Sequence, residues 1–165
     1  MSKTLFYISP FYLPNKGGVE FYIERLADYF KNKFSEIRII TYIPLTSNIK
    51  ADLYEKKNNI HVHRFNWPFK GLFTKIENKN FLLVIIYLFP GLFINTVHKI
   101  IKYKCDIIHG HGFASLLIMF ILSFFCKKKF ILSTHAIYNL QKRYILRKIL
   151  SFLFTRIDHL SLIHI

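Results

Sequence analysis

Acidic residues are scarce in this chain of 165 residues: nine Asp and Glu stand against 24 Lys and Arg, a formal net charge of +15. That imbalance points to acidic partners, which means phosphorylated ligands, an anionic membrane surface or nucleic acid. Part of it is compositional, because Lys, Ile, Asn, Phe and Tyr are abundant together. Lys and Arg are scattered rather than striped along one element with exposed aromatics, so nucleic acid is not the expected partner. Cysteine is nearly absent. Cys105 and Cys126 are too far apart for a Cys-x-x-Cys site and lie near apolar runs, which excludes a disulfide scaffold and fits reduced thiols of a cytoplasmic protein. The six glycines include no Gly-x-Gly-x-x-Gly and no Gly-x-x-x-x-Gly-Lys-Ser/Thr, which weakens the dinucleotide and P-loop readings. No Gly-x-Ser-x-Gly elbow occurs either, so serine hydrolysis is not expected.

An apolar run long enough to span a bilayer, about 20 residues, is also missing. Phe81 to Val97 is interrupted by Pro90-Gly91 and Asn95, and Ala114 to Cys126 is too short. The second run reads as a buried core helix. The first reads as a Phe- and Leu-rich helix ending in His98, Lys99, Lys102 and Lys104, suited to an anionic membrane surface. Met1 to Thr4 leads straight into a strand pattern without a signal-peptide core, so secretion is not expected. With no repeat, linker or composition shift, residues 1–165 read as one domain.

What is present alternates in period. Leu5 to Ser9 is a short buried strand pattern, punctuated by Pro10 and Pro14. From Val19 the apolar positions Val19, Tyr22, Ile23, Leu26, Ala27 and Phe30 recur at helical spacing, with Glu20, Glu24, Arg25, Asp28 and Lys31 on the other face. Further strands are expected at Glu36 to Ile43, Ile60 to Phe65, Asp106 to His109, Phe130 to His135 and Ile157 to Ile163. Helices are expected at Ala114 to Cys126 and Gln141 to Thr155, and Lys50 to Asn59 reads as polar loop. Alternating strands and helices predict an α/β fold, a parallel sheet with helices on both faces. In such sheets ligands bind beyond the carboxyl ends of strands, which selects the loops at Gly17-Gly18, His109 to Gly112 and Ser133 to His135.

Gly17 and Gly18 stand between the first strand and the first helix. There, unpaired helix N–H groups suit a phosphate and glycine permits close approach; a simple tight turn explains the pair equally well. His109 and His111 form a His-x-His pair whose rings share one side of an extended segment, but no third ligand marks a metal site. His61 and His63 repeat that spacing inside a strand, where packing or an edge position accounts for them. His135 ends a buried strand, a rigid support for a group that donates to a sugar hydroxyl or phosphate or acts as a base; a structural histidine remains the alternative.

Three segments, "ISPFYLPNKGGVEFYIERLADYF", "CDIIHGHGFASLL" and "FILSTHAIY", in this order and at these intervals, resemble the N-terminal domain of the retaining glycosyltransferases of family 4, which have the GT-B architecture. The resemblance covers Leu5 to about Leu160. It implies two Rossmann-like domains facing a cleft, a nucleotide-sugar donor held mainly by the C-terminal one and a glycan or lipid-linked acceptor held mainly by the N-terminal one. It further implies transfer with retention, with no metal and no cofactor. Gly17 and Gly18 match the loop that approaches the donor diphosphate or the acceptor, Glu20 a polar or acidic position beside it, His135 the histidine that reaches the reacting groups, and His111 a position lining the same cleft. The family's second domain carries a pair of donor-binding glutamates that this chain lacks, so the expectation is the acceptor-side half of an enzyme, inactive alone. It would be cytoplasmic and peripheral on the inner face of the cell membrane. Two alternatives stay open: a non-catalytic membrane-associated or interaction module of the same fold, and a nucleotide-dependent oxidoreductase.

Overall fold

The structure, a computed structural model, describes residues 3–68, 70–77, 79, 81–134, 152, 155 and 157–162. The elements follow as β1 (Thr4–Ile8), α1 (Gly18–Phe30), β2 (Glu36–Tyr42), β3 (Tyr54–Lys57), β4 (Ile60–Phe65), α2 (Lys70–Ile76), α3 (Phe81–Lys102), β5 (Ile107–His111), α4 (Phe113–Phe125), β6 (Lys129–Thr134) and β7 (His159–Leu162). They build one sheet in the order β3-β4-β2-β1-β5-β6-β7. All its pairs are parallel except β3 with β4.

The expected α/β class is what the chain adopts. β1 lies centrally between β2 and β5, and all five of its residues are buried. Strand alternation sorts them into two cores. Leu5 and Tyr7 join Ile37, Ile39, Val62 and the Ile23-Ala27 face of α1. Phe6 and Ile8 join Ile40, Tyr42, Ile108, Phe130 and Leu132 under α3 and α4. Each fully buried aliphatic of this kind stabilises the fold by about 1.5–3 kcal/mol. The periodic positions of α1 explain its docking, yet Glu20 departs from the expected polar face: it is buried.

Two further departures have local causes. Residues 54–57, expected in a loop, form edge strand β3, whose four residues are all exposed; an edge strand paired on one side needs no apolar face. Its hairpin closes through Asn58 at φ 56° and Asn59, whose side-chain amide donates to the carbonyls of Lys31 and Phe34. The expected interruption at Pro90-Gly91 does not break α3, which runs continuously from Phe81 to Lys102. A proline within a helix removes one donor and crowds the turn before it. Here side chains from below serve that turn: the Tyr42 hydroxyl donates to Leu88 O and accepts from Leu92 N–H at 3.0 Å, and the Trp67 indole donates to Tyr87 O at 3.1 Å. Gly91 makes the approach feasible, since a Cβ there would lie 2.7 Å from the Tyr42 hydroxyl and 2.6 Å from the Trp67 ring. The expected helix from Gln141 to Thr155 lies, apart from Phe152 and Thr155, outside the described residues.

Near the amino-terminal end of β2, buried Arg38 is bonded to Glu36, donates through Nη1 to Nε2 of His63 at 3.1 Å, and stacks 3.6 Å above the Tyr103 ring. Because a guanidinium only donates, His63 must accept and be neutral. Burial, reinforced by Lys99, Arg38, His61 and Lys102, lowers its pKa to about 3. His61 bonds the Tyr54 hydroxyl at 2.8 Å. Both histidines of β4 are therefore packing residues, as the strand context predicts.

Two outcomes follow for stability. Gly91→Ala forces Tyr42 or Trp67 aside and should cost about 1–3 kcal/mol; Tyr42→Phe should cost no more than about 1.5 kcal/mol, because Leu92 N–H can turn back to Leu88 O. Thermal melts of the two variants check the order. His63 binds a proton more readily unfolded than folded, so its contribution is complete above a pH of about 6.5 and is lost as pH falls towards about 3. Denaturant titrations should show that decline flattened in His63→Gln.

Candidate functional site

Chain order reverses direction at β1: the early strands β2, β4 and β3 lie on one side of it, and β5, β6 and β7 on the other. A crevice forms beyond the carboxyl ends of strands at such a switch point, here between β1 and β5. The register sets Tyr7 beside His109, and His111 beside Ser133 of β6. Alternation then places Tyr7, His109, His111 and Ser133 on the face of the sheet that carries α1. His109 and His111 stack with ring centroids 4.4 Å apart, and Tyr7 lies 5.3 Å from the first and 5.6 Å from the second. Tyr22, projecting from α1, meets His111 edge-on at 5.9 Å. Ser133 Oγ bonds His109 Nε2 at 2.8 Å. Burial is the main cause that raises the Tyr7 phenol pKa well above its usual range, so it stays protonated and the cluster is uncharged at Tyr7.

The His-Gly-His-Gly segment was expected as a loop. Instead Ile107 to His111 is strand, and both histidines are buried. The glycines alternate with the histidines for different reasons. Gly110 points to the opposite face, where a Cβ would lie 2.7 Å from Met119 Cε and 2.9 Å from Ser115 Cβ, so its small size lets α4 settle directly on β5. Gly112 has φ 80° and ψ 177°, a conformation close to exclusive to glycine, and turns the chain into α4. The settled helix brings Ser115 to the strand ends, where its hydroxyl lies 2.9 Å from both Ile8 O and His111 O, joining β1 to β5.

Gly17 is the N-cap of α1, with extended backbone at φ −163° that any residue adopts, and Gly18 is the first helical residue. Gly17 matters for space: a Cβ on it would lie 2.5 Å from Glu20 Oε2. Glu20 occupies the third helical position, from which a glutamate reaches back over its own helix start. The Glu20 carboxylate of the chain itself therefore lies beside Gly17 at the start of α1. His135 lies outside the described residues; the strand leading to it, β6, ends at buried Thr134. Among the described residues no group of three or more His, Cys, Asp or Glu is placed to hold a metal ion.

Sequence reasoning thus pointed to the strand ends and His111, but it missed Tyr7 and Tyr22 as parts of the cluster and Ser115 as the contact behind it. The parity of β1 against β5 would have exposed Tyr7. Neither Tyr22 nor Ser115 carries a local signal, since their placement depends on how closely the helices sit. An open concavity of about 860 Å³ lies elsewhere, beyond the ends of β2 and β4, between Leu13, Pro44, Leu53 and Asn66. Arg64 within it is committed to the carbonyls of Leu13 and Asp52 and to Glu55.

No family model matches the sequence, nor does any curated protein. Solved structures do match the fold. Sucrose-phosphate synthase from Thermosynechococcus elongatus aligns with a TM-score of 0.67 at 14% identity, over 96% of this chain and 41% of that one. Trehalose-6-phosphate synthase from E. coli, bound with UDP-2-fluoro glucose, aligns at 0.60 and 14% identity, over 96% and 39%. A shorter chain of the T. elongatus protein aligns at 0.56 and 13% identity over all of this chain and 89% of that one. The chain thus spans about two fifths of the length of the first two. These neighbours are GT-B glycosyltransferases, and the likeness establishes a Rossmann-like α/β fold shared with them.

Ser115→Ala removes the hydroxyl from two buried carbonyls and should cost about 1–3 kcal/mol. Gly17→Ala should change stability by less than about 1 kcal/mol, because the end of the Glu20 side chain can swing out. Chemical denaturation of both variants checks the contrast.

Proposed function

We propose that residues 1–165 form the N-terminal, acceptor-side domain of a glycosyltransferase that moves a sugar from a nucleotide-sugar donor to a cell-surface glycan or a lipid-linked acceptor. The observation that carries this reading is the polar cluster Tyr7-His109-His111-Ser133 at the β1/β5 switch point, on the same face as the Gly17-Gly18 start of α1. The fold shared with glycosyltransferases supports it. In this reading transfer proceeds with retention and without metal or cofactor, in the cytoplasm, and a second domain of the complete protein holds most of the donor. The helix start at Gly17 and Gly18 stabilises diphosphate charge as the leaving group departs. Glu20 must first rotate away, and its carboxylate then accepts a hydroxyl of the sugar. His135 approaches the reacting groups, and His111 supports the cleft wall from beneath.

A second reading has its own observation. Tyr7, His111 and Ser133 are all at most 1% exposed, and Glu20 fills the anion place, as befits a non-catalytic module that has kept the fold.

The complete protein, incubated with UDP-, GDP- and ADP-hexoses and a lipid or glycan acceptor, should release nucleoside diphosphate in the presence of EDTA. His135→Ala should lower kcat by about 100-fold or more without lowering the melting temperature. Folded protein that transfers none of these sugars would decide for the non-catalytic module.

A further inference from the structure

The face of the domain formed by α3 and α4 combines two properties seldom found together on a soluble surface. The first is exposed apolar area. Leu83, Ile86, Ile94 and Ile101 recur along α3 at helical spacing on its outer side, with Ile86 66% and Ile101 81% exposed. At the end of α4, Phe124 is exposed and Phe125 is 81% exposed. The two helices pack along each other and end beside the amino ends of β5 and β6, which are adjacent strands with Ile107 in register with Lys129. Ile101 and Phe125 thus belong to one end of the same face.

The second property is charge of one sign. Between Glu77 and Asp158 the chain has a single acidic residue, Asp106, and twelve of its 24 Lys and Arg. Asp106 accepts the Thr4 N–H at 2.9 Å and Asp158 the Phe130 N–H at 2.7 Å, so both carboxylates serve strand ends. Exposed Lys102, Lys104, Lys127 and Lys129 surround the Ile101 and Phe125 end.

We propose that this face docks flat on an anionic lipid bilayer, with α3 lying in the interface. Lysines mixed with exposed Ile and Phe fit a surface that is charged outside and apolar within. A nucleic acid would satisfy the lysines and leave the aliphatic stripe in water. By length and composition α3 could cross a bilayer, contrary to the expectation from its interrupted sequence, but its inner side is held to the domain: Leu88, Leu92 and Thr96 are buried, and the Tyr42 hydroxyl is bonded within its ladder. In the docked orientation the strands run along the membrane, so the β1/β5 switch point opens sideways, with the sheet between its Tyr7-His109-His111 cluster and the bilayer. The proposal stands independently of the transferase reading, because it is read without any sugar.

The test is co-sedimentation of the full chain with phosphatidylcholine vesicles containing phosphatidylglycerol, against phosphatidylcholine alone. Binding should be at least about tenfold tighter to the anionic vesicles, and should weaken as NaCl rises from about 0.1 to about 1 M and the screening length contracts from about 10 to about 3 Å. Ile86→Asp/Ile94→Asp should weaken it by about tenfold or more. Phe21→Asp, at an exposed apolar residue of α1 on the other face, should leave it unchanged. Circular dichroism confirms that each variant is folded. Absence of binding, equal loss in Phe21→Asp, or loss only when the lysines are replaced would each overturn the proposal. So would a concentration-dependent dimer abolished by Ile86→Asp/Ile94→Asp, which would assign the stripe to a second copy of the chain.

Discussion

The approach of α4 to β5 at Gly110 is the contact on which the upper end of the domain depends. A single Cβ there would collide with Met119 and Ser115 and lift the helix. Lifted, Ser115 would no longer bridge the carbonyls of Ile8 and His111, and only the ladder between β1 and β5 would join the two strand ends. The Tyr7, His109 and His111 rings are carried on the opposite face of those same strands. One missing methyl group thus lets α4 brace, from the opposite face, the strand ends that carry the cluster.

A comparable economy operates under α3. Pro90 would ordinarily weaken a helix, and the turn around it is braced by groups that the sheet supplies: the Tyr42 hydroxyl from the end of β2 and the Trp67 indole from the loop after β4. Gly91 again provides the space. The helix is thereby tied to the sheet at its midpoint and leaves its other side to water. Inner and outer faces of α3 thus obey different constraints, one set by packing and hydrogen bonding, the other by whatever the domain meets.

Much of the architecture was legible in the sequence because strands and helices here have unlike periods. Ile60 to Phe65 alternates and is a strand with those bounds; Val19 to Phe30 follows a helical repeat and lies within α1. What escaped has physical causes. Strand β3 carries Tyr54, Glu55, Lys56 and Lys57, whose polarity resembles a loop because an exposed edge has no core to fill. The continuity of α3 depends on Tyr42 and Trp67, distant in sequence from Pro90. Buried Glu20 was read as a surface residue because helical periodicity describes faces, whereas a helix start lets a carboxylate fold back over its own end. For the cluster, His111 and Ser133 could be placed from strand ends, while Tyr7, Tyr22 and Ser115 required knowledge of which strands neighbour one another and how closely helices sit.

The folded-back Glu20 has a consequence for any anion that approaches α1. It would act as a tethered competitor, present at the effective local concentration of a short linkage, of millimolar order or above. A free ligand sees only the fraction of molecules in which the carboxylate has left, so its apparent affinity is scaled down by that fraction. A polyanion, bringing more charge than Glu20 removes, still has a net advantage. An anion entering there would meet the Glu20 carboxylate first, a restraint set by one glycine and one glutamate.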